Sequence, residues 1–166
     1  VHIQQDVNEF YNLLLDQVEV VLKGTKDEKL FQETLGGKLS HEIFSMEDEF
    51  PYYKESEEPY LTISLEIKHK SKLQDALDLF VQEEVLDGDN KFFCENHNRK
   101  IKVKKRCCIK TLPNTLVLTL KRFEFDYNTM QKMKINDYFE FPQNLNIRNW
   151  TKAGLSEAQR GKTEYF

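Results

Sequence analysis

Two kinds of hydrophobic periodicity occur in separate runs of this chain, and this separation constrains its fold more than any other feature. From Asp6 to Lys23, apolar residues recur every three to four positions, which predicts an amphipathic helix with one buried face. Residues 36–68 and 90–126 instead alternate polar and apolar side chains, which is typical of antiparallel strands. Helices and strands in separate runs predict the α+β class.

The first predicted helix has clear boundary signals. Asp6, followed three residues later by Glu9, resembles a capping box, and Gly24 stands just beyond the last periodic residue. The residues expected on the buried face are Val7, Phe10, Tyr11, Leu14, Val18, Val21 and Leu22.

Three further elements can be predicted along the chain. The pattern of residues 71–86 predicts a second helix, with Ser71 as its N-cap. The nearly continuous apolar run from Leu116 to Leu120 predicts a strand in the interior of a sheet. Residues 151–166 lose periodicity, so we expect a loop or linker there.

The composition limits the possible functions. The chain has 166 residues, which suits one domain or a large piece of one, and its first residue is Val1, which suggests a segment of a longer protein. A net charge of -4 argues against a dedicated nucleic-acid binder and suits a partner with a basic surface. No apolar run is long enough to span a membrane, so no membrane partner is expected. Three cysteines cannot form a disulfide framework, which predicts the cytosol or the nucleus.

Cys94 and His97 have the spacing of two ligands of a structural zinc ion. Such a site needs four ligands, so the sequence must provide two more elsewhere.

Cys107 and Cys108 are the other two thiols, and they lie within the basic run "RKIKVKKR" and its continuation. Neighbouring cations can lower the pKa of a thiol and make it reactive. Alternatively, both are structural strand residues, and at most one of them is buried because adjacent strand side chains point to opposite faces. The basic run has two interpretations as well, a solvated strand face or a binding patch.

Five stretches, in this order and spacing, resemble the catalytic domain of the ubiquitin-specific proteases, a family of cysteine peptidases. "QQDVNEF" resembles the Gln-Gln-Asp box of that family, and "EEPYLTISLEI" resembles the strand after its first metal pair. "KLQDALDLFVQEEVLDGDNKFFCENH" is similar to the helix that leads to the second pair. "IKTLPNTLVLTLKRFEFD" and "FEFP" resemble its Leu-Pro, Leu-Lys-Arg-Phe and Phe-Pro motifs.

The resemblance implies part of a thumb, palm and fingers fold, with antiparallel finger strands and two main helices. Residues 1–24 would end the thumb, 25–110 would form the fingers with the packed helix 71–86, and 111–150 would form palm strands. The cysteine and histidine boxes of the family would both fall outside this chain, so we expect no catalytic residue within it.

The resemblance also implies that Gln5, Asp6 and Glu9 contact ubiquitin. Asp6 and Glu9 therefore have two interpretations, as a helix cap and as a contact to the basic tail of ubiquitin. One residue can serve both roles.

The fingertips of the family often carry two Cys-x-x-Cys pairs. The first pair would fall on Glu47 and Phe50, and the second on Cys94 and His97. Phe50 cannot bind zinc, so we expect a degenerate site, no metal and no other cofactor. Packing among Phe44, Phe50, Phe92 and Phe93 would then replace the ion.

The sequence therefore predicts the central part of a deubiquitinating cysteine peptidase, inactive by itself, with ubiquitin and ubiquitinated proteins as partners. One alternative is a ubiquitin-binding adaptor or pseudoenzyme without catalytic boxes. Another is a nucleic-acid module built on the basic strand, which the acidic net charge disfavours.

Overall fold

The computed structural model describes the backbone of residues 6–163 and the side chains of residues 6–158. Its four α-helices are α1 (Val7–Leu22), α2 (Leu30–Thr34), α3 (Leu73–Phe80) and α4 (Lys152–Thr163). The first seven strands are β1 (Gly37–Ser45), β2 (Tyr53–Tyr60), β3 (Thr62–Glu66), β4 (Glu84–Leu86), β5 (Phe92–Cys94), β6 (Arg99–Ile101) and β7 (Val103–Thr111). The last three are β8 (Val117–Lys121), β9 (Phe123–Asp126) and β10 (Gln131–Lys134). Short 3-10 helices span Gly88–Asn90, Glu95–His97 and Ile147–Trp150.

The largest sheet is antiparallel and has the strand order β2-β1-β7-β4. Its central pair, β1 and β7, places Ser40 opposite Cys108 and Glu42 opposite Arg106. Strands β5 and β6 form a small hairpin near one end of this sheet, and β9 and β10 form another farther along the chain. The predicted α+β class and the antiparallel pairing are confirmed.

Strand β8 differs from the expectation of an interior strand. Within the described residues it pairs with β3 alone, and this pairing is parallel. Its apolar run is explained by packing, because Leu116, Leu118 and Leu120 contact the main core. The apolar run thus indicated that side chains of β8 pack against the core, but it did not indicate how many strands pair with β8.

Two hydrophobic clusters stabilise the fold. The larger one joins β3, α3, the middle of β7 and the segment around Trp150, and Leu65 and Leu77 are fully buried in it. The smaller one is built on Cys94, Ile101 and Val103. Helix α3 packs on β3, so that the large sheet and the β3–β8 pair share one core.

Helix α1 begins and ends where predicted, but the predicted buried face is largely wrong. Leu15 is the buried residue of this helix, whereas Val7, Phe10 and Val21 expose 77%, 63% and 75% of their surface. The periodicity could not identify the packed face because apolar residues also occur on the opposite side of the helix. None of the helices within residues 6–163 combines the length and apolar character needed to cross a lipid bilayer.

The second predicted helix is shorter than the expected range of 71–86. Helix α3 ends at Phe80, and residues 84–86 form β4, which pairs with the edge of β7. Its N-cap is Lys72 rather than Ser71, and the side chain of Lys72 makes no capping hydrogen bond. Tertiary pairing with β7 therefore overrides the helical pattern at the end of this segment.

The tail, predicted as a loop or linker, contains helix α4. Thr151 begins the helix by accepting a hydrogen bond from the Gly154 amide at 3.2 Å. Gly154 allows the helix to approach Ile147–Trp150 closely, because a Cβ at this position would collide with the Arg148 carbonyl oxygen. Lys152 then binds Glu55 on β2 at 2.6 Å. These contacts depend on the tertiary structure, which is why periodicity did not reveal the helix.

Candidate functional site

A cavity of about 520 Å³ lies between the first turn of α1 and strands β8 to β10. This volume is within the range of ordinary ligand sites. The residues that line it are Asp6, Val7, Asn8, Tyr11, Val117, Leu118, Thr119, Leu120, Arg122, Phe123 and Lys134. Four of them, residues 117–120, are consecutive in β8. Since consecutive strand side chains point to opposite faces, the cavity runs along the edge of β8 rather than over one face.

Asp6 joins the helix cap to this cavity. Its backbone is extended (φ -79°, ψ 118°), and its Oδ1 accepts a hydrogen bond from the Asn8 amide at 2.9 Å. The predicted N-cap role of Asp6 is therefore confirmed, although the bond goes to the second helical residue rather than to Glu9. A carboxylate beside a cavity is also placed to bind a basic ligand group.

The other two residues predicted to contact ubiquitin are placed differently. Glu9 lies exposed in the first turn of α1 and does not line the cavity. Gln5 lies outside the described residues. Contact of all three residues with ubiquitin stays a prediction.

Asn8 was not predicted as a site residue. It lines the cavity, and its Oδ1 is a buried side-chain acceptor without a hydrogen-bond partner within the described part of the chain. Buried polar atoms are rarely left unpaired, so such an atom beside a cavity points to a missing donor. The only signal in the sequence was its position inside "QQDVNEF".

Arg122 shapes the opposite wall of the cavity. Its Nη1 donates to the carbonyl oxygens of Ile135 and Asp137 at 3.1 and 3.3 Å. The Ile135 amide returns a bond to the Arg122 carbonyl at 2.7 Å. The guanidinium therefore holds the segment after β10 against the end of β8, and Arg122 acts on the site by fixing this wall.

The three cysteines are free thiols that do not line the cavity. Burial, and then the charge of Glu58, raises the pKa of Cys107 to about 11. Burial and the charge of Glu42 raise the pKa of Cys108 to about 12, although Arg106 opposes this shift. Both thiols are protonated at neutral pH, and a protonated thiol is a poor nucleophile. The raised pKa values of the two thiols favour the interpretation as structural strand residues. Cys108 is the buried member of the pair.

Acidic partners neutralise four cations of the basic run, residues 99–106, which spans β6 and the start of β7. Lys102 binds Asp87 at 2.7 Å, and Lys104 and Lys105 each bind a glutamate at 2.9 Å. Arg106 is buried against Glu42. A cation that is paired in this way offers little to a phosphate backbone, which weakens the nucleic-acid alternative.

The structure brings Phe50 to Cys94 and His97, whereas Glu47 is not arranged with Cys94 and His97 to hold a metal ion. Phe50 contacts His97, with ring centroids 5.4 Å apart, and Glu47 accepts a hydrogen bond from the Lys102 amide at 2.8 Å. Phe92 packs in the small cluster with Phe50, whereas Phe93 is exposed and Phe44 packs on Tyr53. The predicted packing is therefore right for Phe50 and Phe92 and wrong for Phe44 and Phe93. Phe93 is exposed because adjacent residues of a strand, here Phe92 and Phe93, point to opposite sides.

Comparison with proteins of known sequence provides a family for this geometry. The sequence pattern described as "Ubiquitin carboxyl-terminal hydrolase" matches residues 2–166. The chain is 37% identical to "Probable ubiquitin carboxyl-terminal hydrolase FAF" of Drosophila melanogaster over 156 residues. It is 34% identical to "Ubiquitin carboxyl-terminal hydrolase 9X" of Mus musculus over the same number of residues. Each alignment covers 94% of this chain but spans only 6% of the relative.

Solved structures provide the same result for the fold. A chain in the structure of the SAGA Ubp8/Sgf11/Sus1/Sgf73 DUB module bound to ubiquitin aldehyde is 32% identical, with a TM-score of 0.75. That match covers 90% of this chain and 33% of the solved chain. A second structure of this module, bound to monoubiquitin, matches with 31% identity and a TM-score of 0.76, covering 90% and 34%. The predicted fold is thereby confirmed, and the chain belongs to the ubiquitin carboxyl-terminal hydrolase family.

Proposed function

We propose that this chain is the ubiquitin-positioning part of a deubiquitinating cysteine peptidase, and that the cavity beside α1 holds the C-terminal tail of ubiquitin. The observation that carries the proposal is the cavity itself, where the Asp6 carboxylate and the Asn8 Oδ1, which has no partner among residues 6–158, adjoin an apolar strand edge. Family membership and the ubiquitin-bound state of the two similar SAGA modules support the choice of ligand.

The chemistry of the cavity suits an extended, basic peptide tail. The Asp6 carboxylate would accept a charge-assisted hydrogen bond from a basic side chain. The Asn8 Oδ1 would accept a peptide N–H, and the apolar residues of β8 would contact aliphatic side chains. Holding the tail in one position in this way places the scissile bond for attack, which is how binding energy lowers the barrier of the reaction.

The reacting groups would come from other parts of the longer protein. The three thiols within the described residues do not line the cavity, and those on β7 are protonated at neutral pH. The same observation keeps a second candidate open, a ubiquitin-binding adaptor that never cleaves. The two candidates differ in whether the longer protein contributes a cysteine and a histidine to this cavity. Free thiols suit our proposal that the protein works in the cytosol or the nucleus.

The 166-residue chain is expected to show no hydrolysis of a fluorogenic ubiquitin substrate, because burial raises the pKa of the Cys107 and Cys108 thiols and none of its three thiols lines the cavity. The same assay on the longer protein separates the two candidates, since turnover there supports the peptidase and its absence supports the adaptor. Turnover by the chain itself, abolished by Cys107→Ser or Cys108→Ser, would show that the reactive centre had been misplaced.

Asn8→Ala in the longer protein is expected to weaken ubiquitin binding roughly two- to tenfold, the effect of one lost hydrogen bond. The melting temperature should stay the same or rise, because the substitution removes a buried acceptor that has no hydrogen-bond partner within the described residues. Isothermal titration with ubiquitin and a thermal melt measure the two quantities separately.

Asn12→Ala is the matched control, since Asn12 is exposed one turn later on the same helix. It should change neither affinity nor melting temperature. Equal ubiquitin affinities for the two variants would remove Asn8 from the proposed site.

A further inference from the structure

The fingertip cluster, which we define as Glu47, Phe50, Cys94, His97 and Arg99, links two separate parts of the chain. Glu47 and Phe50 belong to the loop between β1 and β2, and the other three belong to the β5–β6 hairpin. In members of the family with two Cys-x-x-Cys pairs, the first four of these positions would bind a zinc ion, whereas the sequence here predicts a degenerate site. Whether the residues present suit an ion can be tested on their contacts.

The donors of this cluster do not fit a structural zinc site. Phe50 has no lone pair to offer, and its ring is packed against that of His97. The Glu47 Oε1 is already engaged by the Lys102 amide at 2.8 Å and by the Lys91 ammonium at 3.2 Å. Cys94 and His97 are two ligands where four are needed. Within the described residues, no group of three or more His, Cys, Asp or Glu side chains is arranged to hold a metal ion.

Other contacts occupy the cluster instead. The guanidinium carbon of Arg99 lies 4.1 Å from the centre of the Phe50 ring, which is the geometry of a cation–π contact. The His97 ring meets Phe50 edge to face at 72°, and its Nε2 lies 3.2 Å from the Pro51 carbonyl oxygen, within hydrogen-bond distance. Phe50 also packs on the small core of Cys94, Ile101 and Val103.

The hairpin backbone is shaped to make these contacts. A 3-10 turn spans Glu95–His97 and ends at Asn98, which has a left-handed backbone (φ 49°) that asparagine tolerates well. Asn98 separates His97 from Arg99 at the end of this turn. Both side chains contact the ring of Phe50.

We infer that Phe50, Arg99 and His97 form a metal-free cross-link that joins the β1–β2 loop to the β5–β6 hairpin, in the role that a zinc ion has in relatives with a full ligand set. Arg99 then has a structural role that its exposed position on a basic strand did not suggest. Stability of this region depends on an aromatic ring and a guanidinium, and not on a metal.

The first test measures metal dependence in the unaltered chain. The melting temperature should be the same in EDTA and in added zinc, and metal analysis of the purified protein should find well under one zinc per chain. A melting temperature that falls in EDTA and recovers with zinc overturns the inference.

The second test removes the cross-link. Arg99→Gln should lower the melting temperature by about 2 °C, the size expected for one exposed cation–π contact in a protein of this length. Lys132→Gln is the matched control, because Lys132 is an exposed cation on the β9–β10 hairpin, and it should leave the melting temperature unchanged. Equal shifts in the two variants would show that Arg99 is an ordinary surface residue.

The third test introduces a full set of zinc ligands into the fingertip cluster. Glu47→Cys combined with Phe50→Cys provides three thiols and one imidazole, a ligand set that zinc accepts. This variant should bind one zinc per chain and become sensitive to EDTA. If it folds but takes up no zinc, the loop does not meet the hairpin as Phe50 and His97 do in the structure, and the inference fails.

Discussion

Replacing Arg106 with Met is expected to lower the free energy of unfolding by roughly 3 to 5 kcal/mol, the largest effect we expect from any single substitution proposed for this protein. The Arg106 and Glu42 side chains are each only 3% exposed, in the middle of the large sheet. The Glu42 Oε2 accepts two hydrogen bonds from the guanidinium, at 2.7 and 3.1 Å. Without Arg106 the buried carboxylate keeps the Tyr53 hydroxyl at 2.9 Å, Lys152 at 3.5 Å and the weakly donating Cys108 thiol at 3.7 Å.

Urea unfolding of three variants checks this prediction. Arg148→Met breaks the exposed Arg148–Glu157 pair and should cost about 1 kcal/mol or less. Arg106→Met combined with Glu42→Met should recover much of the loss, because an apolar pair of similar volume replaces the buried charges. An Arg106 variant no less stable than the Arg148 variant would contradict the prediction.

The stability lost in Arg106→Met should also depend on pH, which provides a further control. Burial by itself would raise the pKa of Glu42, but hydrogen bonds from Arg106 and Tyr53 and the charges of Arg106 and Lys152 lower it. The stability that this carboxylate contributes is therefore present above its unfolded pKa, and it is lost as the pH falls through the lower folded pKa. The difference between the unaltered chain and Arg106→Met should accordingly shrink in acid, where Glu42 is neutral.

Asp6→Asn in the longer protein should weaken ubiquitin binding more than tenfold, or by roughly 1.5 to 3 kcal/mol, if the carboxylate binds a basic residue of the tail. Asparagine preserves the N-cap acceptor that receives the Asn8 amide, so helix α1 should lose only a few tenths of a kcal/mol. Affinity and stability therefore respond separately to this one substitution. Titration calorimetry with ubiquitin and a thermal melt make the comparison.

Two further variants sharpen the test of Asp6. Asp16→Asn removes an exposed carboxylate from the same helix and should leave the affinity unchanged. Glu9→Gln should have a smaller effect than Asp6→Asn, because Glu9 is exposed and lies outside the cavity. An unaltered Michaelis constant and affinity in Asp6→Asn, together with a lower melting temperature, would leave the helix cap as the whole role of Asp6.

The two roles of Asp6, as helix cap and as cavity residue, differ in whether the sequence predicts them. The cap was predictable because it depends on neighbours in the chain, and the structure confirms it. The cavity was not predictable, because β8 and Arg122 lie more than a hundred residues away in the sequence from the first turn of α1. Asn8 was missed for a similar reason, since an acceptor without a partner among the described residues is seen only when the donors around it have positions.

The basic run of residues 99–106 was ambiguous in the sequence because charge patterns do not reveal pairing. The acidic partners of Lys102, Lys104 and Lys105 lie about 15 to 25 residues earlier in the chain. Arg106 looked like one more surface cation, yet it is buried beside a carboxylate that lies 64 residues away. Antiparallel register decides such pairs, and register depends on the whole sheet.

The sequence by itself determined the α+β class, the start and end of α1, the antiparallel strands and the family, because these follow from local periodicity, caps and ordered motifs. The tertiary structure alone decided which face of α1 is buried, that β8 pairs with β3, that residues 152–163 form a helix, and that Phe50 and Arg99 stack at the fingertip cluster. Each of these depends on contacts between segments far apart in the chain. The free energy of such contacts outweighs local preferences of a few tenths of a kcal/mol per residue.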